Sequence, residues 1–196
     1  LDDIIPFCEW FVIPYLIWFL YIPAVFLFLF YHSKKEFYRM CAYEFTGMTI
    51  ALLICTFYPN GLELRLSNIG RENILIDLVH FLYNNDTPTN VFPSLHVYVT
   101  ISAHICLVKS PHMQGLNSRK HIKVISLILA ILICMSTLFL KQHSVLDVLA
   151  GTALAFIMYF IVFKWWFRNT EFPAPKIKDP KQHQVLYFLN KRKYVY

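Results

Sequence analysis

EWFVIPYLIWFLYIPAVFLFLFY, residues 9–31, carries a single charged side chain, Glu9 at its first position. A helix crosses the hydrocarbon core of a bilayer with roughly 17–25 apolar residues, and it satisfies its own backbone N–H and C=O groups where water is absent. Outward from this stretch the pattern recurs, and residues 37–58, 94–109, 123–141 and 144–167 are predicted as further spans. Composition agrees: 57% of residues are hydrophobic, 17% aromatic and only 15% charged, with a mean hydropathy of +0.48, whereas soluble domains carry about 25% charge. A water-soluble globular domain is excluded, and the expected class is an all-α polytopic membrane helix bundle. The third span is short and polar at its start, as a helix lining a cavity instead of facing lipid would be.

Basic residues orient the bundle. Alternating spans bring residues 32–39, residues 109–123 and the chain from Lys164 onward to one side, and these segments hold 15 of the 18 Lys and Arg residues. By the positive-inside rule that side is cytoplasmic. The opposite face receives residues 1–8, the long connection 59–93 and the corner at Gln142 and His143. It collects Asp2, Asp3, Glu63, Glu72, Asp77 and Asp86, with Arg65, Arg71 and Lys141 as its basic residues. An integral membrane protein with an extracytoplasmic active site is expected, and the short loops are compatible with a bacterial cell membrane. Leu1 is followed by neither a basic n-region nor a small-residue cleavage site, so no signal peptide is read. An outward start makes five visible spans, and a sixth is expected before Leu1 in the full-length protein.

Within the long connection, residues 72–83 place Ile74, Leu75, Leu78, Val79 and Leu82 at helical spacing, which predicts a short amphipathic helix at the membrane surface. Residues 84–93 are rich in Asn, Asp, Thr and Pro, a turn-forming composition. Cys8, Cys41, Cys55, Cys106 and Cys134 show no metal-ligand spacing and read as buried apolar side chains. Residues 1–168 are expected to form one transmembrane catalytic domain and residues 169–196 a basic cytoplasmic tail, where Pro173, Pro175 and Pro180 argue against a continuing helix.

Two short motifs carry ionisable groups at the edges of apolar runs, where such groups are costly and point to function. His143 and Asp147 are four residues apart at the start of a span, hence on one helix face. A carboxylate on one ring nitrogen fixes the tautomer and frees the other as base or nucleophile. Pro93, Ser94, Leu95 and His96 open the third span. N–H groups of a first helical turn, with the Ser hydroxyl and the helix dipole, make an anion site, and His96 one turn inside is placed to protonate a leaving oxygen. Lys141, two residues before His143, is the nearest cation in sequence; it reads equally as a helix-end lysine snorkelling to the interface. Arg65 requires its loop to fold back over the site, and Arg71 reads as a solvated loop residue. Glu44 and His104 are expected to pair between helices, Asp86 and Asn90 to brace the loop, and Trp10, Trp18, Trp165 and Trp166 to anchor the interfaces.

These motifs together resemble the type 2 phosphatidic acid phosphatase (PAP2) superfamily of membrane lipid phosphatases and phosphotransferases. Its pattern has a Lys and an Arg-Pro pair, then Pro-Ser-Gly-His, then Ser-Arg, five residues, His, three residues and Asp. Pro93, Ser94 and His96 match the second part, with Leu95 in the Gly position; Ser136, His143 and Asp147 match the third, with Thr137 where Arg is usual. In the first part Arg65 stands as the Arg, followed by Leu66 instead of Pro, and Tyr58 occupies the Lys position. The resemblance covers roughly residues 59–167 and marks a divergent member.

What it implies is a six-helix core in which His143 attacks phosphorus to form a phosphohistidine, Asp147 orients it, and His96 protonates the leaving alkoxide. Ser94, Arg65 and Lys141 would bind the phosphoryl oxygens, with Lys141 taking over from the missing Arg. The implied reaction is metal-independent hydrolysis of a lipid phosphomonoester or diphosphate of the phosphatidic acid or polyprenyl phosphate class. The implied partners are that phosphorylated lipid and the bilayer, with no cofactor, no metal and no nucleic acid. Two alternatives remain open: a lipid phosphotransferase of the inositol-phosphoceramide or sphingomyelin synthase type, and a non-catalytic membrane protein that keeps the motif.

Overall fold

The structure, a computed structural model, describes residues 2–66, 69–113 and 119–167; the expected basic tail lies outside them. Six α-helices follow in order: α1 (Val12–His32), α2 (Lys34–Phe57), α3 (Ile74–Asn85), α4 (Leu95–Lys109), α5 (Lys120–Phe139) and α6 (Val145–Tyr159), the last continuing as a π-helix over Phe160–Trp166. No strand occurs among the described residues, and the fold is the expected all-α bundle.

Four helical stretches are long and apolar enough to cross a membrane: Glu9–His32, Lys34–Phe57, Lys120–Phe139 and Val145–Trp166. α4 is apolar but only 15 residues long, about 22 Å at 1.5 Å per residue, against a hydrocarbon core of about 30 Å. Its position explains its length. α4 packs against α1, α2, α5 and α6, and Val97, Tyr98, Val99, Thr100, Ala103 and Cys106 are all buried. Neighbouring helices, not lipid, cover its backbone, so the bilayer does not dictate how far it must reach. The protein is an integral membrane protein whose short central helix is enclosed by the longer ones.

Local chemistry sets the element ends. Ser33 leaves α1 in an extended conformation and caps α2, its Oγ accepting from Glu36 N at 3.3 Å. Glu36 in turn pairs with Arg39 at 3.0 Å, and the Arg39 guanidinium lies 4.9 Å from the centroid of Phe163, joining the start of α2 to the end of the α6 column. α3 begins two residues later than the periodicity suggests because Asn73 is its cap, with Oδ1 accepting from Leu75 N and Ile76 N at 3.0 Å. Its buried face carries Ile76, Val79 and Leu82, of which Val79 and Leu82 rest with Val12, Tyr15 and Leu140 in a small apolar cluster.

The interior polar groups pair between helices, as expected for Glu44 and His104. Glu44 accepts from Ser102 Oγ at 2.7 Å, and Ser126 Oγ bonds both His104 Nδ1 and Tyr21 OH at 2.8 Å. Tyr98 donates to the Tyr43 carbonyl, and Tyr43 to the Ala155 carbonyl, so α4, α2 and α6 are linked in series.

The bundle has two chemically distinct ends. At one, Cys8 N donates to Phe139 O at 3.1 Å, bringing the start of α1 to the end of α5; α3 and the starts of α4 and α6 lie there too. At the other, the His32 and His112 rings meet at 5.1 Å, close to the basic segments on either side of them. The connection 59–93 folds back on itself, with Leu62 N donating to Pro88 O at 2.9 Å and Asn60 Oδ1 accepting from Phe92 N at 2.9 Å.

Gly47 on α2 lets Tyr98 reach its partner, since a Cβ there would overlap the Tyr98 phenol. Gly47→Ala is expected to cost about 1–3 kcal/mol through overpacking. The measurement is thermal unfolding in detergent, where an unshifted midpoint would mean that Tyr98 has room to turn aside.

Candidate active site

Between α5 and α6 the chain turns a tight corner. The Thr137 carbonyl accepts from both Gln142 N at 2.9 Å and His143 N at 3.1 Å, and Lys141 takes the left-handed conformation, φ 53°, that few non-glycine residues adopt. Ser144 then caps α6: its Oγ accepts from Asp147 N at 3.2 Å, while Asp147 Oδ2 accepts from Ser144 N at 2.7 Å, a reciprocal capping box. Asp147 is therefore held before it meets His143. Its Oδ2 lies 3.8 Å from His143 Nδ1, an ion-pair distance longer than a hydrogen bond. Catalytic hydrogen bonds often stand open in this way without substrate and close on binding.

α4 arrives beside this corner after the cis peptide bond between Phe92 and Pro93. Ser94 is fully buried and joins the two helices: its N–H donates to the Asp147 carbonyl at 3.0 Å, and its Oγ accepts from Val97 N at 3.4 Å. Gly151 makes the approach possible, since a Cβ there would sit 2.5 Å from the Ser94 carbonyl oxygen.

One turn in, His96 faces His143 with ring centroids 5.8 Å apart. Its other neighbours come from α1, where the Trp18 ring is 4.6 Å away and the Tyr15 ring 4.9 Å away. Trp18, expected as an interface anchor, is instead part of the wall that positions His96, whereas Trp10, Trp165 and Trp166 are exposed on the bundle surface.

Arg65 does fold back over the site. It donates to the carbonyls of Tyr83 and Asp86 and to Gln142 Oε1, and its guanidinium lies 4.8 Å from the centroid of the Tyr83 ring. Burial pushes the Tyr83 phenol up to about 12 against the opposing charge of Arg65. Tyr83 thus keeps its proton at neutral pH and donates to Leu140 O at 2.7 Å, pinning α3 to the corner.

A cavity of 130 Å³ opens between these groups, lined among others by Arg65, Asp86, Asn90, His96, Gln142 and His143. Of the residues read from sequence, Arg65, His96 and His143 line it and Asp147 stands behind His143. Ser94 lies in the helix junction. Lys141 is directed elsewhere: its ammonium donates to the carbonyls of Asp2, at 2.6 Å, and Ile5. Asp2 also caps α6 through Val145 N at 2.7 Å, so the N-terminal segment is tied to the corner twice. Gln142 was not anticipated, because a neutral amide beside a histidine carries no chemical signal of its own. Thr137 returns its hydroxyl to the Cys134 carbonyl at 2.8 Å and contributes to the corner through its backbone.

Two imidazoles, one backed by a carboxylate, thus share a cavity with a guanidinium wall in a membrane bundle, an arrangement of the kind phosphatases and phosphotransferases use. A family model described as the PAP2 superfamily matches residues 71–171, just over half of the chain, and takes in both histidine motifs. The chain belongs to the PAP2 superfamily. No curated protein and no solved structure matches it.

Because Gly151 sets the spacing of the two histidines, Gly151→Ala is expected to push the start of α4 away from α6. Displacements of about 1 Å at reacting groups cost on the order of 10²-fold, so turnover of a phosphate ester should fall by about 10- to 100-fold while the helical circular dichroism spectrum is retained. Wild-type turnover in this variant would show that the junction does not control the site.

Proposed function

We propose that the protein cleaves a phosphate ester of a membrane lipid through a phosphohistidine on His143. The observation that carries this reading is the pair of imidazoles, 5.8 Å apart, sharing one cavity with Arg65. His143 Nδ1 faces Asp147, which leaves Nε2 as the nucleophile. As the bond from Nε2 to phosphorus forms, the bond from phosphorus to the lipid oxygen breaks, and His96 gives its proton to the departing alkoxide. Water then enters with His96 as base, the P–N bond breaks, and His143 is restored. Arg65 and the N–H groups at the start of α4 stabilise the charge on the equatorial oxygens. Lys141 supports the reaction indirectly, by holding the corner that bears His143.

The site lies at the end of the bundle opposite the basic residues at 34–39 and 119–123, and the positive-inside rule makes that the extracytoplasmic side. An acceptor hydroxyl in place of water would make the same chemistry a phosphotransfer. Lipid phosphate presented in detergent without added metal is expected to leave acid-labile, alkali-stable phosphate on the wild-type protein. His143→Ala should carry none and lose at least about 10³-fold in turnover, and His96→Ala about 10²–10⁴-fold. Labelling or turnover that survives His143→Ala would remove the histidine from the mechanism.

A further inference from the structure

We propose that the cavity is built for a phosphorus centre bearing one negative charge, a phosphodiester lipid, and that Gln142 and Asp86 set this preference. The inference rests on His143 acting at phosphorus as described above, and concerns which ester it attacks.

The three basic residues at this end of the bundle all have assigned positions. Arg65 lines the cavity. Arg71 reaches Glu9, Nη1 to Oε1 at 3.3 Å, and Lys141 is bound to the carbonyls of Asp2 and Ile5. Among the described residues Arg65 is therefore the one Lys or Arg in the cavity wall, and it is already shared: Nη2 stands 3.9 Å from the Asp86 carboxylate, which lines the same cavity. Asp147 places a second carboxylate behind His143. The partial positive charge at the start of α4, about half a unit, and the proton that His96 carries for the leaving group are the remaining compensation, and they face the Asp86 and Asp147 carboxylates. A phosphomonoester carries about −1.5 to −2 at neutral pH, its second proton leaving near pH 6, and a diester carries −1. The diester matches one guanidinium; the dianion leaves charge uncompensated beside Asp86.

Gln142 lines the same cavity beside Arg65 and His143 and brings a neutral amide to it. It is 2% exposed, its Oε1 is held by Arg65, and its Nε2 is buried without a hydrogen-bond partner among the described residues. A buried donor left unpaired is costly, and this one belongs to a side chain that lines the cavity next to His143. A phosphoryl oxygen satisfies it without adding positive charge. Attack by His143 Nε2 on a diester breaks the bond from phosphorus to the lipid alcohol, which takes the proton of His96 and departs. The phospho-alcohol stays on His143 as a monoanion until water or an acceptor hydroxyl, deprotonated by His96, displaces it.

The test uses phosphatidic acid and its methyl diester, phosphatidylmethanol, in mixed micelles at pH 5–8, with diacylglycerol release as the common readout. Taking the ratio of the two kcat/KM values cancels titration of the enzyme, since only the monoester changes charge in this range. The ratio of diester to monoester should rise by about tenfold per pH unit above pH 6, following loss of the monoanion. Gln142→Lys adds a cation and Asp86→Asn removes an anion; each should lower that ratio at pH 8 by at least about tenfold. The second variant changes a half-exposed side chain and keeps the test decisive if the first does not fold. A ratio that stays flat or falls with pH, or no turnover of the diester, would overturn the inference. Loss of both activities in His143→Ala together with such a ratio would sink the charge preference alone. Survival of both would sink the phosphohistidine reading instead.

Discussion

A single backbone hydrogen bond organises the active end of this bundle: Ser94 N to the Asp147 carbonyl, 3.0 Å. It draws the first turn of α4 against the first turn of α6, with Gly151 beneath it, and so brings two helix N-termini to one place. Each terminus would otherwise leave N–H groups unsatisfied in a poorly hydrated setting. Here they are met by Ser94 Oγ, by the Ser144 and Asp147 pair, and by Asp2. The two histidines are consequences of this junction, since His96 lies two residues beyond Ser94 and His143 one residue before Ser144. The separation of their backbones is set by this main-chain junction.

Around the junction, polar groups are used sparingly and more than once. Asp147 Oδ2 both caps α6 and faces His143. Arg65 ties the connection 59–93, through Tyr83 and Asp86, to Gln142 on the α5–α6 corner. Multiple use of this kind makes the site rigid, because releasing one contact releases another. It also limits the charge available to a ligand, which is why the count of cations in the wall bears on substrate class.

The spans could be read from hydropathy, because an apolar run of sufficient length has few other fates. α3 starts at Ile74 and not at Glu72 because Asn73 is its cap. Lys141 illustrates the limit of proximity in sequence: two residues from His143, it points the other way, since the left-handed backbone at that position reverses the side chain's direction. Trp18 and Gln142 were invisible for different reasons. One is indistinguishable from a membrane anchor until α1 is placed against α4, and the other acquires significance only from the unpaired state of its amide.

The contact between Trp18 and His96 equips the site with an optical reporter. An indole in van der Waals reach of an imidazole loses fluorescence when the imidazole gains a proton, through electron transfer to the cation. Trp10, Trp165 and Trp166 are exposed on the outer surface. The emission of Trp18 therefore records the protonation state of the imidazole it packs against, His96.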